Sequence, residues 1–175
     1  MHVSNAVGLL TGGAGGLGGA VARMLVERGG KAVIVDVPSS RGEAFAKELG
    51  ANAIFLPTDV THTADVEAAV ADAVERFGRI DLCVNAAGIS PAARVIGRDG
   101  TLFPLELFKR TIDINLVGAF DVMRRAADAM SRNEPGESGE RGLIVNVASI
   151  AAFEGQTGQA SYSASKGGLV ALTLP

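Results

Sequence analysis

The sequence predicts an α/β fold in which one doubly wound parallel sheet lies between two layers of helices. Short apolar runs alternate with longer segments whose apolar residues recur at helical spacing, and this β-α order repeats five times. The 175 residues are 47% hydrophobic and 20% charged, which is typical of a single globular domain, here residues 1–175, that buries a core of its own.

The five predicted strands are apolar runs bounded by glycine, proline or polar residues. They span residues 6–10, 31–36, 51–57, 79–85 and 143–149. Because a helical segment separates each run from the next, the strands are expected to be parallel, with helices on both faces of the sheet.

Signals at the helix ends mark the segments between these strands. Ser40 and Glu43 have the spacing of a capping box ahead of the second helix. Either Thr61 or Thr63 is expected to cap the third helix, and Gly78 is expected to end it.

The second half of the chain is less regular. A long helical pattern occupies residues 107–130, and residues 132–142 form a loop by composition. The last helix begins near Ser161, and the sequence stops at Pro175 inside it. We therefore expect a fold truncated after the fifth strand and its following helix, with that strand as an exposed sheet edge.

Composition and charge exclude several classes of function. A net charge of -3 and a pI near 5.4 give no electrostatic footprint for nucleic acid. No basic leader and no 18-residue apolar span appear, so we expect a cytoplasmic protein without membrane contact. Cys83 is expected to be a buried, inert thiol, and His2 and His62 lie too far from other ligand residues to predict a metal site.

Residues 11–19 (TGGAGGLGG) form a glycine-rich turn between the first strand and the first helix. Such a turn lets the backbone approach a pyrophosphate, whose charge the N-terminus of the helix stabilises. A Walker loop is excluded because no Gly-Lys-Ser/Thr follows. Two registers fit, and the pattern does not choose between them: Gly13, Gly15 and Gly18, or Thr11, Gly12, Gly16 and Gly18.

Asp36 ends the second predicted strand, where a dinucleotide fold presents an acid to the adenosine ribose. Its carboxylate can accept hydrogen bonds from the ribose hydroxyls, whereas a 2′-phosphate would meet a like charge. NAD is therefore favoured over NADP, although Arg41 is a nearby basic residue with the length to reach a phosphate. Together with the glycine turn, Asp36 predicts a Rossmann-like dinucleotide site.

The stretch from Ser149 to Lys166 contains the chain's only tyrosine, Tyr162, four residues before the lysine. This spacing puts both side chains on one face of a helix. A base working near neutral pH must lower the phenol pKa from about 10 by about 3, which requires about 4 kcal/mol, and an ammonium about 5 Å away supplies about 3 kcal/mol. The Ser-x-x-Lys of penicillin-binding enzymes also fits Ser163 and Lys166, but no Ser-Asp-Asn or Lys-Thr-Gly accompanies it.

With these residues in place, the whole chain resembles the short-chain dehydrogenases/reductases. The matching features are TGGAGGLG (11–18), Asp59 with Val60, NAAG (85–88), Asn115, Ser149 and the pair Tyr162 and Lys166. Within the family, the segments DVPSS, RNEPGESGERG and AAFEGQTGQASYSASKGG are most similar to the type II 3-hydroxyacyl-CoA dehydrogenases, which also oxidise some hydroxysteroids.

The resemblance implies a role for each matching residue. The cofactor residues would be Gly12, Gly16, Leu17, Gly18, Asp36, Asp59, Val60, Asn85, Ala86, Gly88, Tyr162 and Lys166. The catalytic tetrad would be Asn115, Ser149, Tyr162 and Lys166, with Asn115 anchoring a water that relays protons to Lys166. The substrate would contact Ser149, Gln156, Gln159 and Tyr162.

The implied activity is NAD-dependent exchange between a secondary alcohol and a ketone, most similar to that between 3-hydroxyacyl-CoA and 3-oxoacyl-CoA in fatty acid metabolism. The substrate would be a small molecule, an acyl-CoA or a hydroxysteroid, and the chain would form a homotetramer or dimer through its long helices. Two alternatives stay open. An NADPH-dependent 3-oxoacyl reductase is disfavoured by Asp36, and a non-catalytic nucleotide-binding or assembly chain by the full tetrad.

Overall fold

A computed structural model describes residues 2–174. Within them, five parallel strands form one sheet between two layers of helices, so the predicted α/β fold is confirmed. The strands are β1 (Val7–Thr11), β2 (Lys31–Asp36), β3 (Ala53–Pro57), β4 (Leu82–Asn85) and β5 (Leu143–Asn146). The helices are α1 (Gly16–Glu27), α2 (Gly42–Leu49), α3 (Thr63–Phe77), α4 (Leu105–Ile112), α5 (Ala119–Ser131) and α6 (Ala160–Ala171).

The strand order β3-β2-β1-β4-β5 places the first strand at the centre of the sheet. The chain builds outward from β1 to β3, then returns to add β4 and β5 on the opposite side of β1. The connections after β1 and β4 therefore leave in opposite directions, and a crevice opens between them at the carboxyl ends of the strands. This crevice is the usual place for a ligand in an open α/β sheet.

The core lies on both faces of the sheet because successive strand residues point to opposite sides. Leu9 and Val33 face the layer that contains α3 and α5. Leu10 and Ile34 face the layer that contains α1 and α2. Each of these four side chains is at most 1% exposed, and burying a side chain of this size contributes about 2 to 3 kcal/mol.

The predicted capping box before the second helix is wrong. α2 begins at Gly42, and Ser40 Oγ accepts a hydrogen bond from the N–H of that residue at 3.2 Å. Glu43 forms an ion pair with Lys47 one turn along the helix, at 2.9 Å. The i,i+4 spacing of opposite charges therefore competes with the reach of Glu43 back to the helix start.

The predicted threonine cap of the third helix is also wrong, whereas its predicted end is confirmed. α3 begins at Thr63 and has His62 at its N-cap position without a side-chain hydrogen bond. Thr61 instead donates its N–H and its hydroxyl to Asp59, at 2.9 and 2.7 Å. Gly78 follows the helix in the left-handed region, with φ of 82°.

The long helix predicted over residues 107–130 is interrupted. A π-helical segment, Asp113–Gly118, separates α4 from α5. An insertion of this kind is rare and often occurs at functional sites. Residues 132–142 form a loop, as predicted, with no strand or helix beyond the last turn of α5.

β5 pairs only with β4 among the described residues and is the predicted exposed edge of the sheet. The last helix, α6, starts at Ala160 and ends at Ala171, while Pro175, where we expected the chain to interrupt it, lies outside the described residues. Between residues 2 and 174, the structure contains no helix that combines the length and the apolar character needed to span a membrane.

Candidate active site

A cleft of about 530 Å³ opens over the carboxyl ends of β1 to β4, at the crevice that the strand order creates. Its walls are the glycine turn, the end of β2 and the segments that follow β3 and β4. The π-helical segment and the end of α4 close the remaining side through Ile114 and Arg110. The cleft is therefore lined mostly by residues at the strand ends and at the start of α1.

Steric contacts restrict three positions of the glycine turn. Gly12 has φ of 60°, and a Cβ at this position would lie 2.8 Å from the backbone nitrogen of Ala87. A Cβ on Gly18 would overlap the carbonyl oxygen of Gly12, and a Cβ on Gly13 would lie 2.5 Å from the carbonyl oxygen of Leu10. Steric contacts therefore do not choose between the two registers, but Gly12, Gly16 and Gly18 all line the cleft, whereas Gly13 of the other register is buried away from it.

Gly16 is the exception among these glycines, because a Cβ there would meet no protein atom within 4 Å. It is the first residue of α1, and no side chain of the described residues caps that helix or puts an acid in its first turn. Unpaired N–H groups and the helix dipole favour an anion at this position. The open space beside Gly16 fits a pyrophosphate.

Thr11 joins the two sides of the crevice at the end of β1. Its Oγ1 accepts hydrogen bonds from the N–H groups of Ala86 and Ala87, both at 3.2 Å. The loop after β4 is thereby held against the glycine turn.

Asp36 lies at the end of β2 with both carboxylate oxygens fixed by backbone donors. Oδ2 accepts the N–H of Ala14 at 3.1 Å, and Oδ1 accepts the N–H of Val37 at 2.8 Å. Arg41 turns to α2, where it forms an ion pair with Glu48 at 3.0 Å and stacks over Phe45. The Asp36 carboxylate therefore lines the cleft and forms no ion pair within residues 2–174.

Asp59 and Val60 follow β3 and line the same cleft. The N–H of Thr61, together with its hydroxyl, holds the pKa of the Asp59 carboxyl below its ordinary value, so this group stays charged at neutral pH. A Cβ on Gly118 would lie only 2.8 Å from the carbonyl oxygen of Val60. The glycine lets the π-helical segment approach the end of β3 closely.

Asn115 lies in the π-helical segment and is 0% exposed. Its Oδ1 accepts the N–H of Ile89 at 2.8 Å, and its Nδ2 donates to the carbonyl of Ile89 at 2.9 Å and to Ser165 Oγ at 3.0 Å. Both amide hydrogens are thus used. A relay water at Asn115 could therefore only donate to the side chain, through the second lone pair of Oδ1, or to a backbone carbonyl.

Tyr162 and Lys166 lie one turn apart on α6, with the Lys166 ammonium 5.7 Å from the centre of the tyrosine ring. Lys166 is 5% exposed and donates from Nζ to the carbonyl of Val147 at 2.6 Å. Burial lowers the pKa of its ammonium. Ser149 Oγ accepts the N–H of Ala151 at 3.2 Å, which leaves its own hydrogen available for donation.

Comparison with known proteins agrees with this geometry. A family model described as short chain dehydrogenase matches residues 6–174. The chain belongs to the short chain dehydrogenase family. The expectation of an oxidoreductase is thereby confirmed at the level of the family, whose members bind a nicotinamide cofactor, NAD or NADP.

Relatives of about 50% identity within the short chain dehydrogenase family carry one name. The chain is 52% identical over 174 residues to 3-hydroxyacyl-CoA dehydrogenase type-2 of Homo sapiens and 50% identical to that of Drosophila melanogaster. Each match includes 99% of this chain. A crystal structure of 3-hydroxyacyl-CoA dehydrogenase type-2 from Mycobacterium avium is 40% identical, with a TM-score of 0.88 over 97% of this chain. The chain spans 67%, 68% and 66% of these three relatives, respectively.

Most of the predicted cofactor residues of this short chain dehydrogenase come together at the cleft. They are Gly12, Gly16, Leu17, Gly18, Asp36, Asp59, Val60, Ala86 and Gly88. Asn85 differs from the expectation, because it is 2% exposed and its Nδ2 donates to Asn146 Oδ1 on β5 at 2.9 Å. Its side chain lies beside Asn146 on one face of the sheet and does not line the cleft.

The tetrad lies beside the cleft rather than in its wall. Ser149, Tyr162 and Lys166 do not line it, but Asn115 connects α6 to Ile89, which does. Gln156 lines a separate groove of about 440 Å³ between residues 93–96 and 155–158. Gln159 does not line that groove and occupies the N-cap position of α6.

Sequence reasoning missed several residues of the cleft wall. They are Val35, Val37, Thr58, Ala87, Ile89, Arg110 and Ile114. Ala87 lies inside the NAAG motif, so the motif itself was a sufficient signal. Arg110 and Ile114 are four residues apart, but only the packing of the long helix against the sheet shows that this face meets the cleft.

Proposed function

We propose that residues 1–175 form the NAD-binding Rossmann domain of a dehydrogenase that interconverts 3-hydroxyacyl-CoA and 3-oxoacyl-CoA, a step of fatty acid metabolism. One observation carries the proposal: a buried ammonium, that of Lys166, lies 5.7 Å from the ring of the only tyrosine, beside a dinucleotide-sized cleft. The acyl-CoA substrate is supported by relatives of 50–52% identity that carry this name.

NAD is supported over NADP by the charges at the end of β2. The carboxylate of Asp36 would accept hydrogen bonds from the ribose hydroxyls, as the fold's usual acid does. A 2′-phosphate would meet this negative charge, and Arg41, which might have neutralised it, is paired with Glu48. An NADPH-dependent 3-oxoacyl reductase therefore lacks a cation where it would need one.

In the proposed reaction, the nicotinamide would supply hydride transfer when bound, and side chains of the protein transfer the proton. The Tyr162 hydroxyl takes the proton of the substrate alcohol during oxidation and returns it during reduction. The Lys166 ammonium stabilises the phenolate form, and its donors beyond the one on Val147 can hold the nicotinamide ribose. Ser149 donates its hydroxyl hydrogen to the substrate oxygen, because its Oγ already accepts from Ala151.

Substrate contacts beyond the reacting oxygen belong to the segment before α6. Gln156 is exposed along the groove between residues 93–96 and 155–158, which is mostly apolar. Gln159, at the start of α6, completes the proposed substrate side. An acyl-CoA or a hydroxysteroid would present an apolar body to this side of Tyr162.

Assembly and compartment are part of the same proposal. Val117 and Phe120 are 53% and 49% exposed near the start of α5, which supports a homotetramer or dimer formed through the long helices.

Burial raises the pKa of Cys83 to about 12, so this thiol is inert. It forms no disulfide in the described residues, which fits a reducing compartment such as the cytoplasm.

The substitution Tyr162→Phe tests the proposal. We expect turnover of acetoacetyl-CoA with NADH to fall by about a thousandfold, because the phenol is the proton donor. The dissociation constant of NADH, measured by NADH fluorescence, should stay nearly unchanged, because the substitution removes only the phenol hydroxyl. Unchanged turnover would reject the assignment.

The same measurements on the unmodified chain separate the second candidate, a non-catalytic nucleotide-binding chain. The exposed edge strand β5, with Leu143 48% exposed, is the observation that favours it. NADH binding with no turnover of acetoacetyl-CoA would support that candidate, whereas turnover with NADH and not with NADPH would support the dehydrogenase.

A further inference from the structure

The buried side chain of Asn115 connects two parts of the site that otherwise belong to different layers. Through Ile89 it holds the loop after β4, which lines the cleft. Through Ser165 it holds α6, which carries Tyr162 and Lys166. The Ser165 hydroxyl is therefore the polar link between the cofactor cleft and the proton-transfer helix.

The hydrogen bonds of Ser165 have a defined direction. A hydroxyl has one hydrogen to donate, and Ser165 Oγ donates it to the carbonyl of Tyr162 at 2.7 Å. It accepts the N–H of Asn115 on a lone pair. Ser165 is 0% exposed, so no solvent molecule at the surface replaces either bond.

Other serines of α6 show that burial alone does not produce such a link. Ser161 lies one turn earlier on the same face and is also 0% exposed, yet its hydroxyl has no hydrogen-bond partner among the described residues. Ser163 Oγ is likewise buried and unpaired within residues 2–174. Ser165 differs from both because it meets Asn115.

We propose that Ser165 is a positioning residue of the dehydrogenase, whose hydroxyl fixes α6 against Asn115 and so sets where Tyr162 and Lys166 stand relative to the bound nucleotide. This inference rests on the proposed function of Tyr162. Neither hydrogen bond of Ser165 reaches substrate or cofactor, so its effect passes through the helix.

The hydrogen bond between Ser165 and Asn115 also influences the distance between the Lys166 ammonium and the Tyr162 ring. The Lys166 ammonium is anchored outside α6, on the carbonyl of Val147 at 2.6 Å. The tyrosine ring moves with the helix. A shift of α6 after loss of the Asn115 bond therefore changes the distance between the ammonium and the phenol, which the intact link keeps near 5.7 Å to the ring centre.

The test compares Ser165→Ala with Ser161→Ala, the same substitution at an equally buried position of the same helix that lacks a partner. The chain has one tyrosine and no tryptophan, so its ultraviolet-excited emission reports Tyr162 alone, without turnover. In Ser165→Ala we expect the intensity of this emission to change, because loss of the Asn115 bond alters the surroundings of the tyrosine ring. In Ser161→Ala we expect the emission of the unmodified chain.

Turnover supplies the second readout. With acetoacetyl-CoA and NADH, kcat of Ser165→Ala should fall about tenfold, because misplacement of a reacting group lowers the rate of the chemical step. KM for NADH should change little, and Ser161→Ala should match the unmodified chain in both constants. Thermal unfolding of both variants checks that each is folded.

The outcomes separate this inference from the proposed function. Equal tyrosine emission and equal kcat in the two variants would overturn the positioning role, as would loss of folding in Ser165→Ala alone, which would make the hydroxyl a structural requirement. Changed emission in Ser165→Ala alone, in a chain that never turns over acetoacetyl-CoA, would keep the positioning role and reject the dehydrogenase.

Discussion

β1 and β5 belong to the same parallel sheet, yet they differ in burial and in the number of strands they pair with. All five residues of β1 are buried, and β1 pairs with β2 on one side and β4 on the other. The residues of β5 alternate between exposed and partly buried, and in residues 2–174 this strand pairs with β4 alone. One wall of the site is therefore built into the core and the other stands at an edge.

The nucleotide-binding part and the proton-transfer part of the site are held in place by different interactions. The nucleotide half is shaped by backbone packing at the end of β1, where Gly12 and Gly18 permit contacts that no side chain would allow. The proton-transfer half is carried by α6, which packs on α4 and the π-helical segment and is also held by hydrogen bonds from Lys166 to Val147 and from Asn115 to Ser165. Substitutions in the first half should damage the fold, and substitutions in the second should damage chemistry while the fold survives.

The largest effect is expected for Gly18→Ala. Its methyl group would overlap the carbonyl of Gly12, so we expect a loss of about 3 kcal/mol in the free energy of unfolding and no measurable NADH binding. Gly16→Ala is the matched control, because its methyl group meets no protein atom. Urea denaturation should show its stability within about 0.5 kcal/mol of the unmodified chain, while NADH binds more weakly. Equal destabilisation by the two alanines would contradict this account of the turn.

A pair of leucines measures the contrast between the two strands directly. Leu9 on β1 is 1% exposed and Leu143 on β5 is 48% exposed. We expect Leu9→Ala to lower the free energy of unfolding by about 3 kcal/mol and Leu143→Ala by less than about 1 kcal/mol. Urea denaturation of the two variants side by side is the measurement. Similar losses would mean that β5 is as well packed in solution as the central strand.

A smaller change in stability is expected for Lys166→Met than for Gly18→Ala or Leu9→Ala, and it should be a gain. Burial lowers the pKa of this ammonium below its ordinary 10.5, so the charge costs stability at every pH below the folded-state pKa. That cost fades as the pH rises toward 10.5, where the unfolded chain also loses the proton. At pH 7 we expect the methionine to add about 1 kcal/mol, with a difference that shrinks in alkaline solution, and to abolish turnover.

Lys47→Met is the control for this prediction. Its side chain is 75% exposed and pairs with Glu43 on the surface of α2, so removing the charge there should leave stability almost unchanged at any pH. A less stable Lys166→Met at pH 7 would show that the bond to Val147 outweighs the cost of burying the charge.

Local sequence determined those parts of the protein that depend on residues near one another in the chain. The alternation of apolar runs and helical periods predicted five strands and the helices between them along the chain. This was possible because the pattern that identifies a strand or a helix lies within the residues of that element. The glycine turn, Asp36, and the spacing of Tyr162 and Lys166 are equally local. Each can be read from fewer than 20 consecutive residues.

Tertiary structure alone decided the features that join distant segments. The predicted caps are a separate case, because they were lost to partners nearby in the chain: Glu43 pairs with Lys47 and Thr61 bonds to Asp59. The π-helical segment places Asn115 against Ile89 and Ser165, residues 26 and 50 positions away along the chain. Local patterns carry no information on such pairs, because the energy that selects them exists only once the segments are packed together.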